Sequence, residues 1–140
     1  MQPEEARTAD TRGWLARAAL DLRSARHALT ASPPLRQDAL FHCQQAVEKL
    51  FKAFLTWHDV PFRKTHSLEE LGSQCLAIET GLRSLVDEAA PLSEYAWKFR
   101  YPGPEEPVAR EEMEAALRTA NTAFAEVLSR LPAKVHPNAQ

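Results

Sequence analysis

The chain has 140 residues, a formal net charge of -2 from 17 Lys+Arg against 19 Asp+Glu, and a hydrophobic fraction of 44%. That length suits a single domain over residues 1–140, and the composition excludes wholesale disorder. Apolar runs of a few residues fall far short of the ~20 that cross a bilayer, and the near-balanced charge argues against a dedicated high-affinity DNA binder while leaving room for a local basic patch.

Prolines at positions 3, 33, 34, 61, 91, 102, 104, 107, 132 and 137 draw the map. Proline lacks an N–H and clashes with the preceding helical turn, so helices belong between prolines. The intervening stretches carry helical periodicity, with no sustained alternation and no hairpin signal. A first helix is predicted over Thr11–Thr30, with Trp14, Leu15, Ala18, Leu22, Ala25, Ala28 and Leu29 on one side. Pro33-Pro34 forces the turn that follows. The second helix, Arg36–His58, has a core stripe of Leu40, Cys43, Val47, Leu50, Phe51, Phe54 and Leu55. Ala39, Ala46 and Ala53 recur on one flank, where a neighbouring helix can approach closely. Gln45, Glu48 and Lys52 form a polar stripe on the other flank, with His42, Lys49 and Thr56 expected further out.

A short third helix is predicted over Leu68–Glu79. Ser67 and Glu70 have capping-box spacing, and Gly81 is placed as its C-terminal stop. Gly72 inside it suggests close packing. The fourth helix is expected over Leu82–Phe99, kinked or restarted at Pro91. The fifth starts after Pro107, with Glu105, Glu106, Glu111 and Glu112 suiting a helix N-terminus, and closes at Pro132. The head Met1–Ala9 and the tail Ala133–Gln140 are expected to fray, leaving a core of about residues 11–131. The fold class is all-α: an antiparallel up-and-down four-helix bundle with an extra short helix between the second and third long helices.

No signal-peptide pattern opens the chain. Cys43 and Cys75 make neither a disulfide framework nor a four-Cys zinc site, and they read as reduced and cytoplasmic, with one bridge left open. The five histidines fall in no metal-ligand spacing, and four glycines supply no phosphate-cradling loop, so neither metal nor cofactor is expected. Three segments remain candidates. Arg63-Lys64-Thr65-His66 before the capped helix is either a solvated loop or an anion site. Gln45, Glu48 and Lys52 are either a surface ion-pair set or the lining of a cleft or dimer interface. Tyr95, Trp97, Lys98, Phe99, Arg100 and Tyr101 either fill the bundle end or stack on a base, with Arg100 on phosphate.

Three segments resemble the HEPN domain family of prokaryotic helical bundles. Residues 41–55 are similar to its helix-two signature, Gln-Ala-x-Glu-Lys followed by Lys-Ala. Thr65-His66-Ser67-Leu68 is similar to its Thr-His-x-Leu, and Phe99-Arg100-Tyr101-Pro102-Gly103 resembles its Arg-Tyr-Pro segment. Ala18, Asp21, Leu22 and Ala25 also agree. The resemblance covers about Trp14 to Leu131. It implies a bundle that is usually a homodimer and is often paired with a minimal nucleotidyltransferase in toxin–antitoxin-like systems. Some members are metal-independent ribonucleases that use an Arg-x4-6-His motif. Here Pro104, Glu105, Glu106 and Pro107 follow Arg100 at that distance, and the next histidine is His136. The ribonuclease chemistry therefore does not carry over.

The leading expectation is a non-catalytic module that binds a nucleotide or RNA between helices two and four. Arg100 and Lys52 would contact phosphate, Tyr95 or Trp97 would stack, and Gln45 would hydrogen-bond, with Glu48, Lys64, His66 and Tyr101 completing the site. The first alternative is a ribonuclease toxin with an altered site, in which Arg100 stabilises charge and His66 moves the proton. The second is a structural scaffold that dimerises through the alanine flank of helix two.

Overall fold

The structure is a computed structural model and describes residues 2–103 and 107–138. Every regular element in it is helical: α1 (Glu4–Ala28), α2 (Arg36–Trp57), α3 (Leu68–Ile78), α4 (Arg83–Ala89) and α5 (Arg110–Ser129). Short 3-10 segments lie at Thr80–Leu82, Ala90–Ala96 and Ala133–Val135. Glu105 and Glu106, expected to lead into the last helix, lie outside the described residues.

α1 and α2 run antiparallel along most of their length. Arg7 lies 5.0 Å from the Trp57 ring centroid at one end of the pair. Asp21 meets His42 near the other. α2 is the central element. Its apolar stripe from Leu40 to Leu55 is buried, and Ala39, Ala46 and Ala53 are fully enclosed within the same chain. The alanine flank is thus consumed by neighbouring helices of one protomer, which corrects its assignment as a dimer surface. Cys43 and Cys75 are free and buried, and burial pushes both thiols up to about 12.

Several boundaries differ from the sequence expectation, each for a local reason. α1 starts at Glu4 rather than Thr11, with Arg7 N–H donating to the Pro3 carbonyl at 3.0 Å. Glu4 and Glu5 suit the positive end of the helix dipole. The C-terminal segment is also docked. Val135 is fully buried. His136 Nε2 donates to the carbonyls of Leu128 and Leu131 at 2.8 and 3.0 Å. Two carbonyls can only accept, so Nε2 carries the proton.

The capping box at α3 is half-formed. Ser67 Oγ accepts from Glu70 N–H at 3.1 Å, but Ser67 N–H donates to Thr65 Oγ1 at 3.0 Å, because Arg63 engages the Glu70 carboxylate. Gly81 is not a left-handed stop. No described glycine has positive φ, and Gly81 N–H is held by Glu79 Oε1 at 2.9 Å inside a 3-10 turn. Gly72 does mark a close approach: a Cβ there would lie 2.6 Å from Val86 Cγ1 of α4. The fourth helical element is regular only to Ala89, and the 3-10 segment Ala90–Ala96 follows, with Pro91 in its first turn.

Candidate functional site

Phe41, Gln45, Glu48 and Lys52 follow i, i+4, i+7, i+11 and therefore share one face of α2 over about 16 Å of axis. Two opposite pressures act on that face. Its position beside the core buries it, and its polar groups must then find partners. Glu48 is 3% exposed, and its carboxylate accepts three hydrogen bonds. Lys52 Nζ donates to Oε2 at 2.9 Å, while His66 Nδ1 and Gln44 Nε2 reach Oε1 at 2.7 and 3.2 Å. A carboxylate only accepts, so His66 carries its proton on Nδ1.

Gln44 ties the cluster together. It is fully buried, it donates to the His66 carbonyl at 3.1 Å, and its own Oε1 accepts from Gln45 Nε2 at 2.7 Å. Gln44 is not among the residues expected at the site. Its helical spacing from Val47 and Phe51 was the available signal that an amide faces the interior. Lys52 is turned inward as well. Its ammonium lies 5.4 and 5.8 Å from the ring centroids of Trp14 and Phe62, which meet edge-to-face at 6.1 Å. Trp14, Phe62 and Lys52 thus close one end of the face.

The loop before α3 supplies His66, whose side chain is 61% exposed although its Nδ1 is anchored on a buried acid. Lys64 beside it is exposed. Arg63 is not free for an anion, because its Nε lies 2.8 and 2.9 Å from the two oxygens of Glu70. Two of the N-terminal donors of α3 are also taken: Leu68 N–H by Ser93 Oγ at 2.9 Å and Glu70 N–H by Ser67.

Arg100 stands at the other end of the face, its guanidinium 5.8 Å from the Phe41 ring centroid. Trp97 and Tyr101 are 58% and 75% exposed. Tyr95 is buried instead. Its hydroxyl donates to Glu112 of α5, and its ring stacks on Phe99 at 6.0 Å and 11°. Burial, then the Glu112 carboxylate, hold its phenol well above the usual tyrosine range. The structure thus brings Gln45, Glu48, Lys52 and His66 into one hydrogen-bonded cluster. It sets Arg100 beside the same helix at Phe41, leaves Trp97, Tyr101 and Lys64 on the surface, and turns Tyr95 inward.

A second polar cluster lies where α1 crosses α2. Asp21, 8% exposed, accepts from His42 Nδ1 at 2.9 Å and from the Lys49 ammonium. His42 and Lys49 are therefore half-buried against α1, not turned out to solvent as expected. An acid on the otherwise apolar face of α1 was the cue in the sequence. Among the described residues no group of three or more His, Cys, Asp and Glu side chains could hold a metal ion. Among them, too, no helix is long and apolar enough to cross a membrane. A cleft of about 530 Å³ opens beside Trp14 and Phe62, and one of about 480 Å³ lies around Pro34, Arg36 and Val108. Neither is lined by Gln45, His66 or Arg100.

A family model described as HEPN domain matches residues 11–130. No curated protein and no solved structure matches the chain.

Proposed function

The chain belongs to the HEPN domain family, and from that membership we propose that it is a nucleotide- or RNA-binding module whose ligand lies along the polar face of α2. The observation that carries the reading is a division of labour among the charges. Glu48 is neutralised by Lys52 inside the face, which removes the acid as an obstacle to an anionic ligand. Arg100 and Lys64 remain at the surface as cations for phosphate. Exposed Trp97 and Tyr101 offer stacking platforms next to Arg100 in the chain, and Gln45 and His66 supply hydrogen bonds between. Lys52 serves the ligand indirectly, by holding Glu48. The family supports this nucleotide- or RNA-related role. A homodimer working beside a minimal nucleotidyltransferase completes the proposal. The test is thermal denaturation and Trp fluorescence during titration with nucleotides and short RNA. Binding raises the melting temperature and perturbs Trp97, and saturating ligand that changes neither contradicts the reading.

One observation favours a second reading, a metal-independent ribonuclease. A buried carboxylate holding an exposed imidazole is an arrangement suited to moving protons. Arg100 would then stabilise charge on the phosphate and His66 would exchange the proton. Cleavage of end-labelled RNA in EDTA that vanishes in Arg100→Ala supports this reading. Bound but intact RNA excludes it.

A further inference from the structure

We infer that His66 reads the 2′-hydroxyl of a ribonucleotide through Nε2, an inference that rests on the binding reading above and specifies the ligand's sugar. Nδ1 of His66 is committed to Glu48 at 2.7 Å and must be the donor. Glu48 is already charge-balanced by Lys52 at 2.9 Å and also accepts from Gln44 at 3.2 Å, so it needs only one N–H from the imidazole. In a neutral imidazole with the proton on Nδ1, Nε2 is a bare acceptor. It has no hydrogen-bond partner among the described residues, and the side chain is 61% exposed. A bare acceptor repels a phosphate oxygen and recruits a donor. A single RNA strand offers three kinds of donor, the sugar 2′-hydroxyl, the exocyclic amines of adenine, cytosine and guanine, and the ring N–H groups of uracil and guanine. Surface cations Lys64 and Arg100 draw the phosphodiester backbone to this face, and the sugar travels with the backbone. The 2′-hydroxyl is therefore the donor that meets Nε2.

Gln44 and Glu48 are positioning residues in this account. Gln44 bonds both the His66 carbonyl, at 3.1 Å, and the carboxylate that holds the ring, so it fixes backbone and tautomer together.

The test is fluorescence anisotropy at pH 8 with labelled oligo-U and oligo-dU of equal length. Both oligomers carry the same base with the same ring N–H, so only the sugar differs in donors. Wild-type protein is expected to bind oligo-U about five- to tenfold more tightly, the worth of one hydrogen bond. His66→Ala should lose that preference and bind oligo-U and oligo-dU equally. Long-range proton–nitrogen NMR should show the Nδ1-protonated tautomer of His66 in the wild type. Gln44→Met should give a mixture of tautomers and a reduced sugar preference while the chain stays folded. Equal wild-type affinity for both oligomers, a preference that survives His66→Ala, or a ring protonated on Nε2 overturns the inference and leaves the binding reading standing. Absence of binding to either oligomer overturns the binding reading itself, and the inference falls with it.

Discussion

At the residue scale the central fact is that Glu48 is buried with three donors around it. Removing one partner of a buried pair leaves an uncompensated charge, so Glu48→Leu should cost about 3–5 kcal/mol in urea denaturation. The double variant Glu48→Leu with Lys52→Met should recover most of that loss, because both charges leave together. A double variant no more stable than the single one would show that Lys52 and Glu48 are not energetically coupled. Tyr95 makes a separate pH prediction. Burial and Glu112 raise its folded-state pKa above the unfolded value. Its protonated phenol therefore contributes fully below about pH 10, and the contribution is lost as the pH rises through the folded value. The stability of the wild type relative to Tyr95→Phe should fall as the pH rises above about 10. The Gln45, Glu48 and Lys52 stripe was legible from its spacing alone. That the stripe points inward was not, because helical periodicity places residues on a face and does not reveal that the loop carrying Phe62 and His66 folds back over it.

At the element scale the close crossing of α3 and α4 depends on Gly72. A methyl group there meets Val86 Cγ1 at 2.6 Å. Gly72→Ala gains about 1 kcal/mol of helix propensity but overpacks the contact by about 1–3 kcal/mol. The net effect should be a lower melting temperature, restored by adding Val86→Ala. A Gly72→Ala protein that melts higher than the wild type would contradict that packing. The C-terminal segment is a second element with a measurable share. Truncation after Pro132 removes fully buried Val135 and the His136 clasp on α5, and should cost about 2 kcal/mol or more in chemical denaturation. This segment and the first turns of α1 escaped the sequence reading for one reason. Their contacts are mutual: Lys134 Nζ bonds Glu4 at 3.0 Å, and Arg12 Nη2 bonds the Lys134 carbonyl at 2.6 Å. Such pairing joins the two ends of the chain and leaves no local pattern. The middle of α2, by contrast, was readable almost to the residue, because its apolar stripe is continuous and Pro34 and Pro61 bracket it.

At the scale of the whole molecule, a helical bundle encloses an ordinary apolar core, and one face of its central helix carries polar groups that a core does not need. The sequence was sufficient for the bundle, since proline spacing and helical periodicity are local signals. The site depended on contacts between distant segments: His66 with Glu48, Arg100 with Phe41, Asp21 with His42. The HEPN membership agrees with both halves of this picture, a helical fold and a nucleotide- or RNA-related role. The central claim is that the face binds such a ligand through Arg100. The most direct measurement is the equilibrium affinity of the intact protein for short single-stranded RNA, compared with Arg100→Ala over a range of salt concentrations. The account predicts saturable binding that weakens about tenfold or more in the variant, with a salt dependence reduced by about one ion. Binding that is absent, or that is the same in both proteins at every salt concentration, would contradict it.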